Sequence, residues 1–176
     1  ILIGAVNPSG RLVDTYAADF TQTPSYKNFG TNNGQGNTYF VSGTEQNAHF
    51  VDYEEGIYVG YRYYETRYED AVLGQGNAGS YDYAATVQYP FGYGLSYTDF
   101  SYSNFRCVPE GDRFILSLDV ENTGSVPGKE VVQLYFQSPY TDYDKQNGIE
   151  KAAVTLVGFT KTGMLDGGAS ESVTVE

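Results

Sequence analysis

The stretch VDYEEGIYVGYRYYETRYED at 51–70 carries Glu54, Glu55, Glu65, Glu69 and Asp70, with Arg62 and Arg67 among them. Carboxyl groups gathered in this way are raw material for general acid–base and nucleophilic catalysis. Where two carboxyl groups share such work, both must face the same reacting atoms. Glu54 and Glu55 are adjacent, so on an extended segment they point to opposite faces and cannot converge on one substrate. Capping a helix N-terminus, or pairing with Arg62 or Arg67, is the plainer role expected of them. Other chemistry-bearing types are scarce. The single histidine, His49, has no ligand-spaced companion, which argues against a multi-histidine metal site and leaves it a structural or exposed place. The single cysteine, Cys107, rules out an internal disulfide and is expected to be packed within an apolar-alternating run. The glycine-rich stretches do not match a phosphate-cradling loop, because no G-Q-G is followed by the further glycine or the Gly-Lys-Ser/Thr such loops need. No metal and no cofactor is expected.

The elements that would position these groups are legible in part. Tyr58, Tyr61, Tyr64 and Tyr68 recur at helical spacing, yet Ile57, Val59, Tyr61 and Tyr63 alternate as a strand would. Aromatic and β-branched residues favour an extended form over 57–60. Ile1–Ile3 read as the last turn of a helix closed by Gly4, and Asn7-Pro8-Ser9-Gly10 as a turn. Residues 21–47 show no period and read as a long surface loop of the kind that is usually functional or disordered. From about 101 the texture changes. Phe114, Leu116, Leu118 and Val120 alternate with more polar neighbours. Val132, Leu134 and Phe136 form a second apolar face, Val154, Leu156 and Gly158 a third, Val173 and Val175 a fourth. About five short strands broken by Gly/Pro turns predict an antiparallel β-sandwich, short of the seven of a complete one.

Charge narrows the partners. Ten Lys and Arg against 22 Asp and Glu give a net of −12, the wrong sign for nucleic acid or an anionic membrane surface. No apolar run approaches the ~20 residues of a spanning helix, and no basic segment precedes an apolar one in the manner of a signal peptide. Nothing in the sequence assigns a compartment.

Residues 90–100, PFGYGLSYTDF, place Phe91, Tyr93, Tyr97 and Phe100 in a stretch whose glycines suit irregular backbone. The expectation is structural: rings buried in a short crossover that joins two domains. Stacking on sugar is the alternative.

NPSGRL at 7–12, YEEGIYVGYRYYE at 53–65 and PFGYGLSYTDF at 90–100, in that order, resemble the C-terminal part of the glycoside hydrolase family 3 enzymes, the β-glucosidase group. VENTGSVPGKEVVQLYFQSP at 120–139 and EKAAVTLVGFTKTGML at 150–165 resemble the fibronectin type III-like domain that follows in that family. Val13 departs from the proline usual there, a local matter of the turn. The resemblance implies an α+β fragment. Residues 1–100 would end an α/β sandwich domain with long surface loops, and 101–176 would form an incomplete immunoglobulin/fibronectin III-like β-sandwich. It also implies a retaining two-carboxylate hydrolase of terminal β-D-glucosyl residues, with a β-glucoside or oligosaccharide as substrate. The remainder of the same enzyme, including a (β/α)8 barrel, would be this chain's partner. The family's nucleophile and acid/base motifs match no position here, so no catalytic residue is assigned and this segment is expected to be scaffold. Loop 21–47 is expected to reach toward the substrate's aglycone side. A non-catalytic β-sandwich that binds carbohydrate or protein is the second reading; NPSGRL and EGIYVGYRYY ahead of the sandwich argue against it.

Overall fold

Glycines decide where the longest helix begins and ends. Gly60 holds φ 59°, ψ −133°, a conformation that side chains with a β-carbon avoid, and Gly74 takes the left-handed conformation that closes a helix. Between them Tyr61–Leu73 forms α1, with Tyr64 and Thr66 buried. The helical stripe therefore prevails over the alternation. The extended form expected for 57–60 is not a strand, because Glu54–Ile57 is a turn and Tyr58–Val59 is irregular. The computed structural model describes residues 1–26, 38–40, 47–51 and 53–175.

The chain forms two compact units, each assembled from separated segments. The first holds Asp14–Pro90 and Gln137–Val154. In it β1 (Tyr16–Ala17) pairs antiparallel with β4 (Val87–Tyr89), and β2 (Thr38–Phe40) with β3 (Asn47–His49). His49 lies on β3 opposite Thr38. β2 and the first residue of β3 fall in the stretch 21–47 read as loop; the rest of 27–46 lies outside the described residues, and so does the expectation placed on it. Two short helices complete the unit. Asp82 caps α2 (Tyr83–Thr86) by accepting from the Ala85 amide at 3.0 Å. Thr141 and Asp144 form a reciprocal capping box on α3 (Asp142–Asn147), a sequence-local device of T-x-x-D type.

The second unit holds Ile1–Val13, Phe91–Phe136 and Thr155–Glu176. Five strands occur here among the described residues: β5 (Phe100–Glu110), β6 (Arg113–Asn122), β7 (Val131–Phe136), β8 (Thr155–Lys161) and β9 (Ser170–Val175). Antiparallel pairing orders them β5-β6-β9 in one sheet and β7-β8 in another. Leu118, Val120, Val132, Leu165 and Val173 form the core, with Phe100 and Ala169 against it. The alternation read from sequence places Leu118 and Val120 correctly, while Phe114 and Phe136, toward strand ends, stay exposed. Cys107 is also exposed, contrary to expectation. It lies opposite Leu116 on β5, the edge strand, which is exposed from Ser101 to Glu110. Residues 2–3 form a turn closed by the Gly4 amide on the Ile1 carbonyl at 2.9 Å.

Candidate functional site

Three of the sequence motifs converge in the strand-built unit. Asn7 of NPSGRL donates through Nδ2 to the Pro127 carbonyl at 3.0 Å. Its Oδ1 accepts from the Tyr97 amide at 2.9 Å and the Ser96 hydroxyl at 3.2 Å. The main chains of the first two motifs pair directly: the Leu12 amide donates to the Tyr93 carbonyl, and the Gly92 amide to the Leu12 carbonyl, each at 2.8 Å. Glycine is required at this approach. A β-carbon on Gly94 would stand 2.3 Å from the Gly10 carbonyl oxygen, a backbone atom that cannot swing aside.

Gly94→Ala is therefore expected to cost about 1–3 kcal/mol. Gly10→Ala, where an added β-carbon meets nothing within 4 Å, should be close to neutral. Urea unfolding of the two variants in the full-length protein checks the contrast.

The rings of PFGYGLSYTDF contribute less to this junction than expected. Tyr93 and Tyr97 remain 38% and 50% exposed. The buried member of the stretch is Thr98, whose hydroxyl donates to Oδ1 of Asn122 at 2.5 Å. Gluing is done by main-chain pairing and buried amide and hydroxyl groups.

Beside it lies an ion pair the sequence does not disclose. Glu130 is 7% exposed; its Oε2 accepts from Nη2 of Arg11 and its Oε1 from the Tyr102 hydroxyl at 2.9 Å. Burial, and then this bond to a carboxylate, push the Tyr102 phenol above its ordinary range. Every group here is engaged by another, which describes a brace and not a reactive centre.

The carboxylates considered for catalysis lie in the first unit, in differing surroundings. Glu54 and Glu55 sit on the turn before α1, one exposed and one half-buried. Neither caps α1, because Gly60 holds the cap position without a side-chain bond. Glu65 accepts from the Tyr83 hydroxyl at 2.6 Å. Arg67 donates to Oδ1 of Asn77 at 2.9 Å and lies over the Tyr63 and Tyr81 rings. Glu69 and Asp70 face a cavity of about 420 Å³. Glu69 accepts from Nε2 of Gln137 at 2.8 Å, and Asp70 from Nε2 of Gln75 at 3.2 Å. Asp144, on the sequence-remote segment 137–154, is buried. Its carboxyl is held down at about 2 by the Lys151 ammonium at 2.8 Å and by the Thr141 amide and hydroxyl. Among the described residues, no group of three or more His, Cys, Asp or Glu is arranged to hold a metal ion.

Two phenols of this unit make its stability sensitive to alkali. Burial, then the neighbouring Tyr81 and Tyr63 phenols and the Asp14 carboxylate, push Tyr64 up to about 12. Tyr83 is raised by burial and by its bond to Glu65. A folded-state pKa above the unfolded ~10 means that the fold holds the neutral phenol. The stabilisation is complete below pH 10 and disappears as pH rises through about 12. The urea midpoint of the protein should fall over that window, and Tyr64→Phe should flatten the fall. Tyrosinate absorbance near 295 nm reports the titration.

The class these observations define is an α+β chain of small antiparallel sheets. No protein-family model matches the chain. β-Glucosidase A of Butyrivibrio fibrisolvens is 37% identical over 190 residues, covering 99% of this chain and 19% of the relative. The β-glucosidase of Ruminococcus albus is 36% identical over 177 residues, 100% of this chain and 15% of the relative. Among solved structures, β-glucosidase 3B from Thermotoga neapolitana, in complex with glucose, superposes with TM-score 0.70 at 36% identity, covering 99% of this chain and 20% of that one. The glycoside hydrolase family 3 β-glucosidase of Bifidobacterium adolescentis does so with TM-score 0.69 at 28% identity. This chain is homologous to part of the glycoside hydrolase family 3 β-glucosidases, and it spans about a fifth or less of the length of the relatives it matches.

Proposed function

We propose that the chain is the C-terminal part of a family 3 glycoside hydrolase, a β-glucosidase that releases terminal β-D-glucosyl residues by the retaining, two-carboxylate route. Residues 1–100 then close an α/β sandwich domain and 101–176 begin a fibronectin type III-like domain. A (β/α)8 barrel elsewhere in the polypeptide completes the enzyme. The observation that carries this reading is the convergence of NPSGRL, PFGYGLSYT and VENTGSVPGKE on one hydrogen-bonded network, within a chain that aligns end to end with part of β-glucosidases. In this role the segment gives shape and binds no cofactor. Retaining chemistry splits hydrolysis into glycosyl transfer to an enzyme carboxylate and release to water, so the product keeps the β configuration.

The experiment is hydrolysis of an aryl β-D-glucoside by the full-length enzyme, followed by proton NMR of the first-formed sugar. β-Glucose as the initial product is expected. Initial α-glucose, or no turnover of any β-glycoside, overturns the reading.

A further inference from the structure

The cavity of the first unit has walls from three places in the sequence: α1, the turn at 75–77 and the segment 138–153. At about 420 Å³ it falls within the range of small-molecule sites, which combine apolar or aromatic walls with a few fixed polar groups. Here the aromatic surface is Tyr58, Tyr63 and Tyr140. The polar groups are held in place by neighbours. One oxygen of Glu69 is bonded by the Gln137 amide and one of Asp70 by the Gln75 amide, and a carboxylate so engaged still offers its other lone pairs as acceptors. Arg67 is steadied by Asn77 and by the rings of Tyr63 and Tyr81, and its Nε is buried without a partner.

Charge selects the class of ligand. Glu69, Asp70 and Glu150 outnumber Arg67 and Lys151, the latter already paired with Asp144, so an anion is disfavoured. Acceptors and donors side by side, with tyrosine faces between them, suit a neutral ligand rich in hydroxyl groups that also has an apolar face. We infer that this cavity binds a neutral mono- or disaccharide, with Tyr140 and Glu150 contributing from one wall and Glu69, Asp70 and Arg67 from the other. The inference rests on the cavity's own chemistry, and its test is read separately from that of the proposed activity.

The test uses the full-length enzyme and a diazirine-bearing thiocellobioside, whose sulfur linkage resists hydrolysis. After irradiation, labelled peptides are mapped by mass spectrometry. Label is expected within 58–77 or 138–153, suppressed by excess thiocellobiose. It should drop at least tenfold in Tyr140→Ala and at least threefold in Glu150→Gln. Glu150 is exposed, so the second variant leaves the fold undisturbed and decides the matter should the first misfold. Label absent from both segments, label that survives competition, or label unchanged in Glu150→Gln overturns the inference. Aryl glucoside hydrolysis is measured on the same preparations. Lost labelling with hydrolysis intact defeats only the cavity assignment; labelling without hydrolysis defeats only the functional reading.

Discussion

Asn122→Asp is expected to destabilise the protein by about 3–5 kcal/mol. Asn122 is wholly buried. Its Nδ2 donates to the Val126 and Leu165 carbonyls, both at 2.9 Å. Its Oδ1 accepts from the Thr98 hydroxyl at 2.5 Å and the Gly124 amide at 3.1 Å. Both donors and both accepting positions of the amide are therefore in use. Aspartate has nearly the same shape but puts an oxygen where the two carbonyls need a donor. It must either carry a buried charge or take up a proton that can satisfy only one of them. Asn122→Ala avoids the repulsion, takes the partner from the Thr98 hydroxyl, the Gly124 amide and the Val126 carbonyl while Leu165 keeps the Gly128 amide, and should cost somewhat less. Urea unfolding measures both, and a loss below 1 kcal/mol for the aspartate variant would mean that the network does not hold the junction together.

Removing Glu130 should have a comparable effect for a different reason. Glu130→Ala leaves the largely buried Arg11 guanidinium, and the Tyr102 hydroxyl on an exposed strand, without their acceptor. Breaking a buried ion pair from one side typically costs about 3–5 kcal/mol. The main chain at Glu130 is tied separately, its amide to the Thr162 hydroxyl and its carbonyl to the Thr162 amide, both at 2.9 Å. The loss should thus be confined to the side chain. A double-mutant cycle tests this: Arg11→Met with Glu130→Leu should cost clearly less than the two single changes added together. A spectroscopic sign accompanies it. Glu130→Gln removes the carboxylate that helps to raise the Tyr102 phenol, so that phenol should titrate at lower pH.

What the sequence disclosed and what it hid follow a physical division. Strand alternation is local, so Leu118 and Val120 were legible as core. The glycines bounding α1 were visible too, yet aromatic residues suit either periodicity, and the start of the helix emerged only from the backbone of Gly60. Cys107 was misplaced because alternation reveals a face without revealing whether anything covers it. Asn122 and Glu130 were invisible for the opposite reason. Asn122 reads as a turn residue within N-T-G, and Glu130 as surface charge beside Lys129. Their partners stand far off in sequence: Leu165 is 43 residues from Asn122, and Arg11 is 119 from Glu130. The motifs signalled that something was fixed at these positions, and the contacts supply the reason. The cavity was equally hidden, since its walls draw on segments some 70 residues apart.

The central claim is that this segment shapes a glycosidase whose reacting acids lie elsewhere in the polypeptide. The measurement that bears on it most directly is kcat of the full-length enzyme on an aryl β-glucoside. Glu54, Glu55, Glu65 and Glu69 are changed one at a time to Gln, and Asp70 to Asn. The account predicts that each variant keeps kcat within about tenfold, because a catalytic acid or base is worth some 10²–10⁴-fold. A folded variant whose kcat falls a thousandfold and is restored by azide would place a reacting carboxylate within this chain and contradict the account.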